Sequence, residues 1–498
     1  MTSAPPTVTE QAAAAAGARD WRLLIGGELV PASSGRTYRT DDPATERPLA
    51  EVPDGDAADV AAAFRAADAA RRGWAATSPV ERGRLVRRLA AVLREHADEL
   101  ATLDALDLGS PHRQMLLDVE RAAESLDTFA NWALQLTGEV IPASAGNLHF
   151  TLRQPYGVVG RIIPFNHPLQ FAAGKIAAPL VAGNAVLVKP AHQTPLSALR
   201  MGELFAELLP PGVLNIVTGA GPEPGVAIAQ HPGIPRIAFI GSERTGRAIQ
   251  TSAAAVAVKD VSLELGGKNA MIVFPDADLE AAAQGAVKGM NLQASSGQSC
   301  GSTSRLLLHA DIADQVESRV AELMAAIRLG LPLEPATDMG PLVSAQQHRH
   351  VTGLLDSGLA EGAGLLVGGD RPAEVDRGHF VAPTLLTAVS PGMRIAREEV
   401  FGPVLSVLRF RDEAEAMRVA NGVDYGLTAS VWTSDLLRAH RFAAAFEAGF
   451  VWVNGTSQHF AGVPYGGWKA SGIGREESLD ELLSFTRTKA VTIFGAGA

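Results

Sequence analysis

Cys300 is the only cysteine of this 498-residue chain, and it lies in a loop of small residues, 295–301. A lone cysteine cannot form an internal disulfide bond. It is therefore either a small buried hydrophobe or a nucleophile whose partners lie elsewhere in the sequence. Cys300 by itself does not decide between these two uses.

Two further polar residues follow apolar runs. Glu264 ends one run and precedes the glycines Gly266 and Gly267, which permit close approach of the backbone. Asn166 lies between two prolines directly after another run, where a turn residue that bonds its own backbone is the alternative interpretation. Both stretches would be unusual if they served packing alone.

Glycine and lysine residues near predicted strand ends indicate a nucleotide site. Gly241 and Ser242 open a helix whose free N–H groups could bind a pyrophosphate, although a capped surface helix has the same pattern. Lys189 ends another strand, where it is either solvated or a donor to ribose hydroxyls and phosphate. The glycine-rich stretch 219–225 contains two prolines, which fit a tight loop better than the first turn of a phosphate-binding helix.

The elements around these residues alternate between short apolar runs and helical stretches from about Tyr156 onward. Fully apolar strands separated by helices predict a parallel sheet covered on both faces, which binds ligands beyond the carboxyl ends of its strands. A second alternating region begins near Ser262, so a domain change is expected at 265–270. The predicted strands are 158–163, 185–189, 213–217 and 236–240, and the predicted helices are 169–180, 195–209 and 225–230.

Three flanking segments have their own patterns. Residues 56–109 are helical, with Ser78 and Glu81 as a capping box. Residues 1–17 are rich in Ala, Pro and Thr and predict a mobile tail rather than a signal or transit peptide. The extended stretches 140–154 and 483–494 are either an ordinary hairpin and terminal strand or edges that pair between subunits.

Composition limits the class of protein. About 500 residues exceed a single hydrophobic core and predict at least two domains. The net charge of −11, without a dense Lys/Arg block, predicts that neither nucleic acid nor an anionic membrane is a partner. No uncharged apolar segment is long enough to span a bilayer, and a single cysteine is typical of a reducing compartment. A soluble cytoplasmic protein is therefore expected.

Together these stretches resemble the NAD(P)-dependent aldehyde dehydrogenase superfamily over nearly the whole chain. The resemblance implies an α/β fold with a doubly wound parallel-sheet cofactor domain at 1–135 and 157–265 and a second α/β catalytic domain at 266–468. A projecting β-arm and tail at 136–156 and 483–498 would build homodimers or homotetramers. Beside the Asn166 and Lys189-Pro190 elements, the motifs that carry it are Leu263-Glu264-Leu265-Gly266-Gly267-Lys268, Gly297-Gln298-Ser299-Cys300, Glu398-Glu399-Val400-Phe401-Gly402-Pro403-Val404 and Pro464-Tyr465-Gly466-Gly467-Trp468-Lys469-Ala470-Ser471-Gly472-Ile473-Gly474-Arg475-Glu476.

The resemblance implies a role for each catalytic position. Cys300 attacks the aldehyde carbonyl as a thiolate, and the side chain of Asn166 and the N–H of Cys300 hold the resulting oxyanion. Hydride leaves to the nicotinamide, and Glu264 activates the water that hydrolyses the remaining thioester to a carboxylic acid. Lys268 and Glu476 either join a proton path or only position their neighbours. No metal is implied.

The implied cofactor is NAD or NADP. His192 stands where NAD-preferring relatives commonly have a glutamate that chelates the adenosine ribose. Because an imidazole does not repel the extra phosphate of NADP as a carboxylate would, both cofactors stay open. Phe165 and Tyr465 replace a frequent tryptophan and a frequent phenylalanine. The implied cofactor-binding residues are Ile162, Ile163, Pro164, Phe165, Lys189, His192, Gly225, Gly241, Ser242, Leu265, Glu399 and Phe401.

The predicted function is CoA-independent oxidation of an aldehyde to a carboxylic acid. Glu264 supports hydrolysis, because relatives that pass the acyl group to CoA commonly lack a base at that position. The alternatives are a CoA-acylating semialdehyde dehydrogenase and a catalytically silent cofactor-binding structural protein on the same fold. The sequence does not identify the aldehyde; by position in the family pattern, its pocket includes Leu169, Gln170 and the loop 455–460.

Overall fold

A computed structural model describes residues 7–372 and 375–495 of the chain. Its strands, numbered in chain order, are β1 Leu23–Ile25, β2 Glu28–Val30, β3 Thr37–Asp42, β4 Arg47–Pro53, β5 Val140–Ile141, β6 Leu148–Pro155, β7 Val158–Ile162, β8 Ala185–Lys189, β9 Leu214–Ile216, β10 Arg236–Ile240, β11 Asp260–Glu264, β12 Ala270–Val273, β13 Arg305–His309, β14 Gly364–Val367, β15 Thr384–Thr387, β16 Val404–Phe410, β17 Tyr425–Gly426, β18 Thr428–Trp432, β19 Phe450–Val453, β20 Trp468–Lys469, β21 Gly472–Ile473 and β22 Thr486–Ile493.

The helices precede, separate and follow these strands. They are α1 Val8–Ala18, α2 Ala57–Ala76, α3 Pro79–Glu95, α4 Ala97–Leu108, α5 His112–Asn131, α6 Pro168–Gly174, α7 Ala177–Val181, α8 Leu196–Phe205, α9 Glu223–Gln230, α10 Glu243–Ala254, α11 Leu279–Gly289, α12 Leu292–Ser295, α13 Ala313–Ala325, α14 Ala345–Ala360, α15 Arg394–Arg397, α16 Glu413–Asn421, α17 Leu436–Ala445 and α18 Leu479–Ser484.

The larger sheet has a doubly wound parallel centre. Its strand order is β2-β1-β9-β8-β7-β10-β11-β21, and β9, β8, β7, β10 and β11 run parallel. The chain starts at β7, moves outward to β9 and then returns to the other side at β10. The order therefore reverses between β7 and β10, and a crevice that binds ligands is expected beyond the carboxyl ends of these two strands.

The second sheet has the order β14-β15-β16-β13-β12-β18-β19 and is parallel except for β14. Five residues, 265–269, connect the carboxyl end of β11 in the first sheet to the amino end of β12 in the second. Buried apolar clusters pack around both sheets. The predicted α/β fold is confirmed, and the short connection brings the ends of the two sheets together.

The stretches 140–154 and 483–494 pair with each other within the chain. β22 and β6 are antiparallel from Thr486 opposite Pro155 to Ile493 opposite Leu148, and β5 adds a third strand. Val140, Ile141 and Ile493 on this small sheet are exposed. Residues 496–498 of the predicted arm and tail lie outside the described residues.

Several local predictions were wrong. Val8–Ala18 is a helix rather than a mobile tail, because Thr7 and Glu10 form a capping box; residues 1–6 lie outside the described part of the chain. The predicted helix 169–180 is two short helices, α6 and α7. Ser78 accepts from the N–H of Glu81, but the reciprocal bond of a capping box is missing.

The prolines of the stretch 219–225 also differ from expectation. Pro222 is the N-cap of α9 and Pro224 lies in its first turn, so the segment opens a helix rather than forming only a tight loop. Proline is compatible with this position because the first N–H groups of a helix have no partner within it. No helix within the described residues is long and apolar enough to cross a membrane.

Candidate active site

The loop that carries Cys300 is anchored by Asn269, which lies just before β12. The Nδ2 of Asn269 donates to the carbonyls of Cys300 at 2.7 Å and Ser302 at 2.9 Å, and its Oδ1 accepts from the N–H of Thr428 at 3.0 Å. Gly297 has a φ of 75°, and a Cβ there would come within 2.4 Å of the carbonyl oxygen of Gly402. Asn269 and Gly297 therefore hold the cysteine loop against the amino end of the second sheet.

The thiol of Cys300 faces an aromatic wall. Cys300 is half-buried, and its Sγ lies 3.9 Å from the hydroxyl of Tyr465. It packs against a cluster that contains Phe450 and Trp452, and the ring of His459 lies 4.5 Å from that of Tyr465. Burial and then the charge of Glu399 raise the pKa of the thiol to about 12, so the sulfur keeps its proton at neutral pH until a base removes it.

Glu264 is a buried carboxylate at the carboxyl end of β11. No described residue donates a hydrogen bond to either of its oxygens. Gly466 leaves room for it, because a Cβ at that position would come within 2.9 Å of its Oε1. Burial and then the charge of Glu476 raise the pKa of Glu264 well above its usual range. The carboxylate is therefore a strong base whose acceptor atoms are free.

Asn166 follows β7. Its backbone position is fixed by hydrogen bonds of the residues that follow it, not by bonds of its own side chain. The Nδ1 of His167 is 2.6 Å from Asp118 Oδ2, and the N–H of Leu169 donates to Asp104 Oδ2 at 3.1 Å. Asn166 is buried, and its side-chain amide makes no hydrogen bond among residues 7–372 and 375–495. The amide is thus fixed in place with its donor available.

Phe165 and Phe401 meet from opposite sides of the cleft between the sheets. Their rings pack edge to face with centroids 5.7 Å apart. Beside Phe401, Glu399 Oε1 accepts from the N–H of Gly267 at 3.0 Å, and a Cβ at Gly266 would come within 2.0 Å of Glu399 Oε2. Gly266 is therefore needed where the Glu399 carboxyl approaches the backbone. Burial raises the pKa of Glu399 to about 7.

Lys189 and Gly225 lie together on the side of the cleft where the sequence predicts the adenosine. A Cβ added at Gly225 would be 3.9 Å from the Cδ of Lys189, so this glycine leaves open space over the lysine stem. Lys189 is buried with one acceptor, the carbonyl of Pro190 at 3.1 Å, and burial lowers its pKa to about 8. The N–H of Ile163 donates to the Lys189 carbonyl at 3.1 Å, which joins the ends of β7 and β8.

The helix α10 begins at the carboxyl end of β10 with Ser242 as its N-cap. The Ser242 side chain accepts from the N–H of Thr245 at 3.4 Å. A Cβ at Gly241 would be 2.5 Å from the ring of Phe239, and one at Gly246 would be 2.9 Å from Leu265. These close approaches hold the exposed start of α10 beside the strand-order reversal, where the predicted pyrophosphate site lies.

Two predicted residues stand apart from this arrangement. His192 is exposed, and partial desolvation with the nearby charge of Lys189 lowers its pKa. Lys268 is buried, and its Nζ has no hydrogen-bond partner among the described residues. Burial and the charge of Arg305 lower its pKa to about 7.

Sequence reasoning missed a cluster of buried charges next to Glu264. Glu476 Oε1 accepts from Arg161 at 2.8 Å, and its Oε2 lies 2.7 Å from Lys175 Nζ. Arg161 also donates to Glu481 Oε1 at 2.5 Å. The one signal in the sequence was an arginine inside the otherwise apolar run of β7.

A model of the aldehyde dehydrogenase family matches residues 29–491. The chain belongs to this family. Membership makes the protein an aldehyde-oxidising oxidoreductase that works with a nicotinamide dinucleotide, as the sequence resemblance predicted.

Individual relatives agree with the family match. The chain is 45% identical over 485 residues to the aldehyde dehydrogenase tropH of Talaromyces stipitatus. The aligned residues cover 96% of this chain and 94% of that protein. It is 40% identical to an aldehyde dehydrogenase of Bacillus cereus solved with NAD+, at a TM-score of 0.94 over 97% of this chain and 98% of that one. The betaine aldehyde dehydrogenase of Staphylococcus aureus, also with NAD+, is 34% identical at a TM-score of 0.95 over 98% of both chains.

Proposed function

We propose that the protein oxidises an aldehyde to a free carboxylic acid without CoA, with Cys300 as nucleophile, Glu264 as general base and Asn166 as oxyanion donor. The observation that carries this assignment is the Glu264 carboxylate, which is buried without a hydrogen-bond donor. A buried, unpaired carboxylate is costly for stability, and such groups concentrate at catalytic sites.

The first step forms a carbon–sulfur bond. Because the pKa of the Cys300 thiol is about 12, the proton must leave the sulfur as it attacks, and the raised pKa of Glu264 makes this carboxylate a suitable acceptor. The carbonyl oxygen becomes an oxyanion held by Asn166 Nδ2 and the N–H of Cys300. When bound, the nicotinamide supplies the acceptor for the hydride that leaves this carbon.

The second step breaks the carbon–sulfur bond of the thioester. The proton that Glu264 accepted in the first step first leaves to solvent. Glu264 then takes a proton from water, whose oxygen attacks the acyl carbon, and the same two donors hold the new oxyanion. Collapse releases the carboxylic acid and returns the sulfur of Cys300. A base at this place favours water over CoA as the acceptor of the acyl group.

For the cofactor we propose NAD with NADP as a second substrate. The NAD+ complexes of the relatives support NAD. The exposed imidazole of His192 beside Lys189 supports NADP, because neither group repels a phosphate at neutral pH. The proposed binding residues are the twelve predicted from the sequence, from Ile162 to Phe401.

We further propose the predicted domain ranges and a homodimer or homotetramer joined through the sheet of β5, β6 and β22. Exposed Val140, Ile141, Leu148 and Ile493 on that sheet support subunit pairing. Light scattering of the full chain measures the mass of the particle in solution. The mass of a monomer would contradict the proposal that this sheet joins subunits. The single cysteine and the net charge of −11 support a cytoplasmic enzyme with no nucleic-acid or membrane partner.

A panel of aliphatic, aromatic and acid-bearing aldehydes tests the assignment. The reduced cofactor is read by its absorbance with NAD and with NADP, and the product is identified with and without CoA. We expect free acid in the absence of CoA. An acyl-CoA product that needs CoA would overturn the hydrolytic mechanism, and no turnover across the panel would favour a silent binding protein.

A further inference from the structure

Arg161 is a buried charge that none of the steps above uses. It lies on β7, between β8 and β10, and only 1% of its surface is exposed. A guanidinium is costly to bury unless its N–H groups are paired with good geometry. Its partners therefore show which part of the molecule it serves.

The guanidinium joins three segments at the centre of the first sheet. Its Nε donates to the carbonyl of Lys175 at 2.8 Å, and its two terminal nitrogens donate to Glu476 at 2.8 Å and Glu481 at 2.5 Å. The ring of Phe485 lies 5.1 Å from the guanidinium carbon. Arg161 thus fastens residues 476–485 to the strand that leads into Asn166.

The segment held in this way also forms the wall of the active site. Glu476 and Tyr465 exchange two backbone hydrogen bonds, at 2.7 and 3.0 Å, and the hydroxyl of Tyr465 faces the sulfur of Cys300. Gly466, the next residue, lies against Glu264 Oε1. Fixing Glu476 therefore fixes the surroundings of both the nucleophile and the base.

Two cations hold the Glu476 carboxyl, one on each oxygen. Burial by itself would raise the pKa of Glu476, but Lys175 and Arg161 lower it to about 2, so the group is a carboxylate at any physiological pH. Its negative charge is the largest contribution after burial to the raised pKa of Glu264. The other charges that act on Glu264 are Lys175, Arg475 and Glu477.

We propose that Arg161 is a positioning residue for thioester hydrolysis, which holds Glu476 as a carboxylate beside Glu264 and so keeps Glu264 a strong base. This inference rests on the proposed roles of Cys300 and Glu264. Without Arg161, Lys175 is the one cation left in direct contact with Glu476 among the described residues, Glu481 loses its ion pair, and the two buried carboxyls take up a proton. Glu264 then loses the neighbouring charge, its pKa falls, and it becomes a weaker base.

The test follows the decay of an acyl-enzyme. An activated ester such as p-nitrophenyl acetate acylates a thiol directly, so the thioester on Cys300 forms without cofactor. The burst of nitrophenolate measures acylation. The loss of the acetyl group, followed by the mass of the intact protein across a range of pH, measures hydrolysis. In Arg161→Gln we expect the rise of the decay rate with pH to move to lower pH, and the plateau rate at high pH, where Glu264 is ionised in both proteins, to fall by roughly fivefold or more.

Arg236→Gln is the matched control. Arg236 is equally buried on the neighbouring strand β10 and lies 4.9 Å from the same Phe485 ring. It donates to Ile237, Ser262 and Ser484 and pairs with Asp260 at 3.2 Å, and within the described residues it makes no hydrogen bond to Glu476. A change that follows from lost packing alone would appear in both variants, whereas the proposal expects wild-type decay in Arg236→Gln.

A double-mutant cycle completes the test. If Arg161 acts through Glu476, the double variant Arg161→Gln/Glu476→Gln decays within about twofold of Glu476→Gln alone. Decay of Arg161→Gln at the wild-type rate, multiplication of the two effects, or an equal effect in Arg236→Gln would overturn the proposal. Should Arg161→Gln fail to fold, Arg161→Lys takes its place in the cycle. A wild type that forms no acetyl-Cys300 would instead contradict the proposed function.

Discussion

Two buried glutamates, Glu264 and Glu476, lie in adjoining regions of the molecule and have opposite surroundings. Glu264 has no hydrogen-bond donor on either oxygen, and burial raises its pKa. Glu476 has a cation on each oxygen, and its pKa is lowered to about 2. The difference comes entirely from the neighbours, because the two side chains are chemically identical.

The contrast separates the reactive region from the region that holds it. Within the described residues, the side chains of Asn166 and Glu264 have no hydrogen-bond partner, which leaves them free for substrate and water; for the buried oxygens of Glu264 this is unfavourable for stability. In the charged cluster, the Glu476 carboxyl and the Arg161 guanidinium are bound on several sides, which fixes the chain around them. Substitutions in the first region should therefore change rates with little effect on stability. Substitutions in the second should lower stability, and they should change the hydrolysis rate only through Glu264.

The largest effect is expected from Cys300→Ala. Removal of the nucleophile should lower aldehyde oxidation by roughly 10⁴-fold or more, since no other thiol is present. The melting temperature should stay close to that of the wild type. Ser299→Ala in the same loop is the control and should remain active; oxidation by Cys300→Ala at a wild-type rate would refute the thioester mechanism.

Glu264→Gln should slow thioester hydrolysis by about 10²–10⁴-fold, because the base for water is lost. The raised pKa of Glu264 means that its contribution to stability is present at low pH and is lost as pH rises through the folded-state value. The variant should therefore be at least as stable as the wild type above neutral pH. Trapped acyl-enzyme and urea unfolding measure the two effects, with the exposed Glu398→Gln as control.

Asn166→Ala removes one oxyanion donor and should reduce kcat by about 10²–10³-fold. Because the amide makes no hydrogen bond in the folded chain, its removal should change the free energy of unfolding little. Steady-state kinetics and thermal unfolding test this pair of expectations. A kcat within threefold of wild type would assign the oxyanion to other donors.

Lys175→Met tests the charged cluster. Loss of one partner of a buried ion pair should lower the free energy of unfolding by about 3–5 kcal/mol at neutral pH. The lowered pKa of Glu476 means that its stabilisation is present above its ordinary value of 4.5 and is lost as pH falls toward 2. Urea unfolding should show the two proteins converging over that window.

Arg394→Met breaks an exposed pair with Glu398 and is the matched comparison. We expect little or no change in the free energy of unfolding, because exposed i,i+4 pairs contribute little. An equally small change in Lys175→Met would mean that the cluster does not hold the fold.

The fold was predictable where the signal is local. The strands at 158–163, 185–189 and 236–240 were found within one residue, because buried parallel strands are continuous apolar runs. The helix Val8–Ala18 was missed, since its alanine-rich sequence shows little amphipathic pattern. Its stability comes from the cap and from contacts such as Trp21 Nε1 with the carbonyl of Ala16 at 3.0 Å.

The candidate site was predictable only through motifs. Cys300, Glu264, Asn166 and Glu476 stand in family motifs, but the contact between Arg161 and Glu476, 315 residues apart, forms only in the folded chain. The role of Asn269 in anchoring the cysteine loop was not predicted either, although the residue directly follows a recognised motif. Contacts between residues so far apart in the chain produce no periodic pattern in the sequence.

If Cys300 is the nucleophile that we propose, its being the single thiol allows the active sites to be counted by titration. An alkylating reagent has one sulfhydryl target per chain, so the reagent consumed counts competent sites directly. Oxidants act with the same stoichiometry, because each mole of peroxide that oxidises Cys300 inactivates one mole of enzyme. The chain has no second cysteine that could trap the sulfenic acid as an internal disulfide. Recovery of a damaged molecule must therefore come from an external thiol.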